Sequence, residues 1–264
     1  MTRDEIPMRD RILDSLVQNG QEQWISGEAL SRSLGISRAA VSKHVMGLRE
    51  EGHIIESVPR RGYRLISRAD PWAGRDAREG LNTSVMGKKN WLWLKETDST
   101  NQVAALEAMN GAEEGVVVVA RRQNEGRGSN GHRWLNLPGS LTFSVIAKPR
   151  IPPEKLDLLP RLAMEAVARA VKKSCGLDLE QRAPNDLFFN NRKVVGILVE
   201  SMFHNTDLQW AVVGIGVNVN VPAEAIPKEL AGIASSLYAE TGTAFSVTNL
   251  LRHLLEELEN VLRP

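Results

Sequence analysis

The sequence predicts an α+β protein of two units, and three observations carry that prediction. The first 66 residues hold three runs with apolar residues at helical spacing and then an extended, turn-broken stretch, the pattern of a winged helix-turn-helix. Further along, short strand-like runs alternate with helical ones, as in a mixed sheet with helices packed on it. The length of 264 residues exceeds one typical domain, and 42% hydrophobic residues suffice for real cores. The predicted boundaries are 1–66 for the winged helix-turn-helix domain, 67–80 for a linker and 81–264 for the second domain.

In the first unit, Ile12, Leu13, Leu16 and Val17 mark a helix closed near Asn19-Gly20. A short helix follows from about Glu28 to Leu34. Gly35-Ile36-Ser37 makes a tight turn with Ser37 as N-cap, and a third helix carries Val41, Val45 and Leu48 at i, i+4 and i+7. If those three face inward, Arg38, Ala39, Ser42, Lys43 and Met46 face outward, a short, polar and cationic set suited to a major groove. Ile54–Val58 turns at Pro59-Arg60-Arg61-Gly62 and returns as Tyr63–Ile66, a wing with a basic tip. The expected DNA contacts are therefore Arg32, Ser37, Arg38, Ala39, Ser42, Lys43, Arg60 and Arg61, with Arg64 nearby. The competing reading is a three-helix adaptor that binds protein, its arginines merely solvated.

Pro71 ends regular structure and places the boundary near residues 67–80. Strands are expected at Trp91–Lys95, Val116–Arg121, Leu141–Lys148, Leu187–Phe189, Lys193–Glu200 and Gln209–Asn220. Helices are expected at Thr100–Met109, at Pro160–Lys173 with its proline in the first turn, and at Val247–Leu262 with Leu250, Leu254, Leu258 and Val261 on one stripe.

Composition excludes several classes of function. Lys+Arg 33 against Asp+Glu 32 gives a net charge of +1, so no global field draws the chain to nucleic acid and any such contact needs a local patch. The start lacks a signal-peptide pattern, and no apolar run approaches the roughly 18 residues of a spanning helix. A single cysteine, Cys175, rules out an internal disulfide framework and a thiolate zinc site, which fits a reducing cytoplasm. Its place at the end of an apolar helix makes it a small hydrophobe rather than a nucleophile.

Four constellations in the second unit bear on chemistry. Asp98-Ser99-Thr100-Asn101-Gln102 sets capping-type residues between a strand and a helix, where N-capping is the plain alternative to a cleft. Gln123 precedes Gly126-Arg127-Gly128-Ser129-Asn130-Gly131-His132-Arg133-Trp134, in which Arg121, Arg122, Arg127 and Arg133 oppose only Glu125. That loop contains the Gly-x-Gly-x-x-Gly spacing, but Trp134–Gly139 cannot open the helix a dinucleotide fingerprint needs. Glycines that permit close approach, cations and one indole suit an anionic ligand with an aromatic part. Pro184-Asn185-Asp186-Leu187 comes before Lys193 and Gly196–Glu200; a lysine beside Val194 and Val195 lies partly in a core wall and needs a charge partner, for which an anionic ligand is natural. Finally, Gly214–Asn220 is a strand with two glycines and a polar end.

Together these motifs resemble the biotin protein ligases, and with the N-terminal unit they resemble the bifunctional biotin operon repressor and biotin–acetyl-CoA-carboxylase ligase, over nearly the whole chain. The resemblance implies that the second domain is a catalytic domain with a mixed sheet similar to class II aminoacyl-tRNA synthetases and biotin/lipoate ligases. It implies formation of biotinyl-5′-AMP from biotin and Mg-ATP, then transfer of biotin to a lysine of the biotin carboxyl-carrier protein. It implies biotin contacts from Ser99, Thr100, Asn101, Gln123, Gly126, Arg127, Gly128, Ser129, Lys193 and Gly196. Nucleotide contacts fall to Arg127, Arg133, Trp134, Asn185, Asp186, Lys193 and Asn218, with Lys193 and Arg127 as catalytic residues and Asp186 as a candidate for magnesium. Operator DNA would be bound by a homodimer that forms when the adenylate is bound, and no membrane partner is implied. Two alternatives stand beside this: a non-enzymatic biotin-responsive DNA-binding regulator, and a lipoate or other acyl-carrier ligase.

Three departures from the family pattern matter. Ser129 stands where many relatives carry a further arginine, and loss of one charge-assisted hydrogen bond, about 1.5 to 3 kcal/mol, implies leakier retention of the adenylate. Arg182-Ala183-Pro184-Asn185-Asp186 replaces the usual Lys-Trp-Pro-Asn-Asp, keeping a cation and losing an indole. The expected match is to a member without the family's small C-terminal β-barrel.

Overall fold

A computed structural model describes residues 7–19, 23–50, 53–67, 75–149, 158–205 and 207–263, so the Gly20 stop signal and the Pro71 break lie outside the described residues. The chain divides into two compact units between residues 71 and 72.

The first unit consists of α1 (Met8–Gln18), α2 (Gly27–Leu34), α3 (Arg38–Glu50) and the antiparallel hairpin β1 (Ile54–Val58) and β2 (Gly62–Ser67). The Ser26 hydroxyl accepts from the Ala29 N–H to start α2, and left-handed Gly35 ends it. Ser37 accepts from the Ala40 N–H at 3.1 Å, so α3 begins at the cap the sequence indicates. Ile12, Leu13, Leu16, Leu30, Val41, Val45, Leu48, Ile55 and Leu65 form the core. Val17, grouped with the apolar stripe of α1, is instead on its outer side. Ile25 bridges Tyr63, adding a third extended segment to the wing, and a Cβ on Gly62 would overlap the Ile25 carbonyl. The wing is thus pinned to the helices by a backbone contact that only glycine admits.

The second unit is a seven-stranded sheet of β3 (Trp91–Leu94), β4 (Val117–Ala120), β5 (Ser140–Ala147), β6 (Glu180–Arg182), β7 (Asp186–Phe189), β8 (Arg192–His204) and β9 (Asp207–Asn218). The order is β3-β4-β5-β9-β8-β7-β6, with β3–β4 parallel and every other neighbour antiparallel, a mixed sheet as expected. Among the described residues four helices accompany it: α4 (Thr100–Met109), α5 (Leu159–Cys175), α6 (Leu237–Thr241) and α7 (Val247–Leu262). β6 and α6 are too short to show a period in sequence. β8 runs four residues past its expected end at Glu200, because pairing with β9 rather than burial carries it to an exposed tip. Residues 75–78, inside the stretch read as linker, form a 3-10 turn whose Ala77 is fully buried in the second unit's core, so that core begins before residue 81.

Strand alternation gives the sheet two different faces. Leu141, Phe143, Val145 and Ala147 of β5 and Ala211, Val213, Ile215 and Val217 of β9 pack against α5 and α7, with Leu250, Leu254 and Leu258 fully buried. Each such leucine stabilises the fold by about 1.5–3 kcal/mol. The opposite face is covered by α4 over β4, β5 and β9. Glu259 near the end of α7 accepts the N–H groups of Ser84, Val85 and Met86 and the Ser84 hydroxyl. Burial works against its charge, but these donors together outweigh it and hold the carboxyl below the usual glutamate value. Cys175 packs against the core and burial pushes its thiol up to about 11, in keeping with an inert hydrophobe.

Candidate functional site

On the face opposite α5 and α7, a cavity of about 390 Å³ opens beside the N-terminus of α4. Glycines make it. A Cβ on Gly196 or Gly216 would overlap the Trp134 indole, and one on Gly214 would overlap the Asn101 carboxamide. The two strand glycines noted in the sequence therefore have different tasks: Gly214 seats Asn101, whereas Gly216, with Gly196 of β8, seats Trp134. The indole Nε1 is buried there with no hydrogen-bond partner.

The segment 126–134 closes on itself. Arg127 and Arg133 bridge in antiparallel fashion, the Trp134 N–H donates to the Gly126 carbonyl at 2.8 Å, and Ser129–Gly131 form one 3-10 turn. No helix opens at Gly131, in agreement with the rejection of a dinucleotide fingerprint. Arg127 and Arg133 remain exposed, and the Ser129 hydroxyl donates across the cavity to Asn185 Oδ1 at 3.2 Å. Asn185 in turn donates to the Ile197 carbonyl at 2.5 Å, which fixes its amide.

Ser99 occupies the N-cap position of α4 but makes no side-chain cap bond. Gln123 takes that task, its Oε1 accepting the Thr100 N–H at 2.7 Å and the Thr100 hydroxyl at 3.0 Å. The plain capping alternative thus fails for Ser99, which borders the cavity. Lys193 has its backbone held on both sides, by Phe188 of β7 and by Ile233 and Ser235 of the segment after β9. Its ammonium lies 2.7 Å from Asp186 Oδ1, both side chains about 30% exposed, so the charge partner required of a wall lysine is present within the protein. Downstream, Glu240 pairs with Arg192 at 2.5 Å and accepts from Asn190, which ties α6 to the start of β8. Burial opposes the Glu240 charge, yet Ser235, Asn190 and Arg192 together lower its pKa.

Ser99, Thr100, Asn101, Gln123, Arg127, Gly128, Ser129, Arg133, Trp134, Asn185, Asp186, Lys193, Gly196 and Asn218 all border this one cavity. Gly126 stands behind it, buried against Gln123 and Trp134. The Asn101 carboxamide is committed to protein partners: Ser144, Glu200 and the Leu198 carbonyl. Asn218 likewise donates to the Ser235 carbonyl and accepts from the Ser140 hydroxyl.

The Biotin/lipoate A/B protein ligase family matches residues 93–218, and an HTH domain matches residues 10–64. The "Bifunctional ligase/repressor BirA" of Bacillus spizizenii is 36% identical over 249 residues, 94% of this chain and 76% of that protein. The chain belongs to the biotin protein ligase family. The Escherichia coli protein of the same name is 31% identical over 83% of this chain and 65% of its own length. Among solved structures, a biotin protein ligase from Aquifex aeolicus in complex with biotin and ATP superposes with a TM-score of 0.55 at 32% identity, covering 66% of this chain and 71% of that one.

Within this family's fold, sequence reasoning gave no role to Ser144, Glu200, Phe188 or the apolar wall of Ile226, Leu230 and Ile233. Ser144 had a signal: with Thr142 it interrupts an otherwise apolar strand at alternate positions, which marks a polar stripe on one face. The wall residues come from irregular chain and carry no period. In the first unit, Arg32, Ser37, Arg38, Ala39, Ser42, Lys43, Arg60 and Arg61 are all exposed. Arg32 pairs with Glu28, and Arg61 lies 4.7 Å over the Trp24 ring. Arg64 is half-buried against Glu56. Among the described residues no helix is long and apolar enough to cross a membrane.

Proposed function

We propose that the protein is an ATP-dependent biotin–protein ligase that also acts as a biotin-responsive transcriptional repressor in the cytoplasm. The observation that carries the reading is the convergence of Ser99, Thr100, Gln123, Lys193 and Trp134, separated by up to ninety-four positions in the chain, around one cavity of the family fold. The biotin ring system sits against Ser99, Thr100 and Gln123, with backbone groups of Gly126 and Arg127. Its carboxylate lies toward Lys193, and Trp134, Asn185, Asp186, Arg133 and Asn218 border the nucleotide.

In the first step a carboxylate oxygen attacks the α-phosphorus of ATP, the bond to the bridging oxygen breaks, and pyrophosphate leaves. Two anions must meet, so fixed cations dominate the catalysis. Lys193 swings from Asp186 to the carboxylate and the α-phosphate, while Arg127 covers them from the flap. Asp186, freed of the lysine, is the carboxylate that would hold Mg2+ brought by the nucleotide. The ion would supply charge neutralisation. In the second step a lysine amine of the carrier protein attacks the mixed anhydride, AMP leaves and a proton is released. Ordering of the 126–134 flap by the adenylate is the coupling to dimerisation and operator binding, with Arg38, Ala39, Ser42 and Lys43 of α3 entering the major groove.

Incubation with biotin, Mg-ATP and a biotin carrier domain tests the enzyme: pyrophosphate and labelled lysine are expected. Absence of pyrophosphate together with biotin-dependent operator binding establishes the non-enzymatic regulator instead, and activation of lipoate in preference to biotin establishes the acyl-carrier ligase.

A further inference from the structure

Beneath the cavity the biotin contacts Thr100 and Gln123 continue into a chain of buried polar groups, Ser144, Asn101 and Glu200, to which the reaction above gives no role. Ser144 of β5 is fully buried, with its Oγ 2.8 Å from Thr100 Oγ1 and 2.6 Å from Asn101 Oδ1. Thr100 Oγ1 reaches Gln123 Oε1 at 3.0 Å. At the other end Asn101 Nδ2 donates to Glu200 Oε2 at 2.8 Å and to the Leu198 carbonyl at 3.3 Å.

The donor inventory decides how this chain is polarised. A carbonyl only accepts, so Asn101 must point its Nδ2 toward Leu198 and Glu200 and its Oδ1 toward Ser144. The Thr100 N–H only donates, so Gln123 must turn Oε1 toward it and keep the two Nε2 hydrogens for whatever enters. Three oxygen–oxygen contacts, Gln123 to Thr100, Thr100 to Ser144 and Ser144 to Asn101, then share two hydroxyl hydrogens. As long as these contacts are kept, both hydrogens lie inside the protein. Thr100 Oγ1 therefore meets a ligand only as an acceptor, beside a donor at Gln123. Gly214 belongs to this device, since any side chain there would displace the Asn101 oxygen.

We infer that Ser144 is a specificity-determining positioning residue which, braced by Asn101 and Glu200, occupies the Thr100 hydroxyl so that the pocket takes a ring bearing N–H next to C=O. The inference rests on the biotin reading and deepens it: a cyclic urea matches this polarity, whereas the dithiolane ring of lipoate offers neither group. Removing Ser144 leaves the Thr100 hydrogen held by Gln123 Oε1 alone, an oxygen the Thr100 N–H already satisfies, so that the hydrogen can turn toward the ligand.

The test is pyrophosphate release by the full chain with Mg-ATP and either biotin or lipoate, for the unaltered protein, Ser144→Ala, Thr100→Val and the double variant. Ser144→Ala is expected to raise KM for biotin about tenfold, the worth of one hydrogen bond, with kcat within about twofold, and to narrow the preference for biotin over lipoate. In the Thr100→Val background the same change adds less than about twofold, because Ser144 acts through that hydroxyl. Additive effects, or an unaltered KM in Ser144→Ala, overturn the inference while leaving biotin activation intact; a chain that activates no biotin overturns both readings. Should Ser144→Ala not fold, a biotin analogue with a ureido N–H replaced by a ring oxygen serves on the unaltered chain. It is expected to bind about a hundredfold more weakly or worse, and equal binding rejects the proposal.

Discussion

The same strands present two unlike faces. On β9, Ala211, Val213, Ile215 and Val217 press into the aliphatic layer under α5 and α7, while their alternates Val212, Gly214, Gly216 and Asn218 look the other way. On β5 the alternation is Leu141, Phe143, Val145 and Ala147 against Thr142, Ser144 and Ile146. The first face is held by volume, which many apolar residues can supply. Around the cavity the second is held by hydrogen bonds and by the absence of side chains, where each group has one task, while Ile146 and Val212 join the apolar patch under α4. Specificity thus resides on one face of the sheet and the larger aliphatic core on the other.

That division is open to attack from either side. The largest effect is expected on the aliphatic face: Leu254→Ala should cost about 3 to 5 kcal/mol in denaturant unfolding, with KM for biotin in the folded fraction unaltered. A shifted KM would mean that the faces are coupled. Lys193→Met, on the other face, should lower kcat for pyrophosphate release about 100- to 1,000-fold while changing the unfolding free energy by less than about 1 kcal/mol, since its pair with Asp186 is partly exposed. A large loss of stability would make the lysine structural.

Ser129→Arg restores a cation in the flap and should slow release of biotinyl-5′-AMP roughly ten- to a hundredfold; the Ser129–Asn185 bond it replaces joins two neutral side chains. An unaltered off-rate would place the Ser129 position outside the retention of the intermediate. The smallest effect belongs to Glu259→Gln, about 1.5 kcal/mol from weakened charge-assisted bonds. Because the folded carboxyl lies below its unfolded value, the stabilisation is complete above the unfolded glutamate pKa of about 4.3 and fades as pH falls through the lower folded value. Unfolding of both proteins across acidic pH should therefore converge at the low end, and a constant gap would assign the effect to packing.

Much of the fold was legible because burial writes periods into sequence. Val41, Val45 and Leu48 forecast the buried face of α3, Ser37 forecast its cap, and α4 and α7 span the ranges that their patterns indicate. Elements fixed by pairing rather than burial, such as β6, α6 and the outer half of β8, carry no such signature. The motifs likewise named the residues around the cavity, since glycines, cations and an indole in nine positions have few other uses.

What the chain order leaves open is who bonds to whom. Sequence alone determined the two units, the secondary elements with a burial period and the chemical character of the cleft, because these depend on local spacing and side-chain type. Only the tertiary structure decided that Gln123 rather than Ser99 caps α4, that Asp186 holds Lys193, that Asn101 faces Ser144 and Glu200, and that Gly214 and Gly216 accommodate different neighbours. Hydrogen-bond partners drawn from distant strands are set by register and by the competition of donors for acceptors, and both exist only once the sheet has closed.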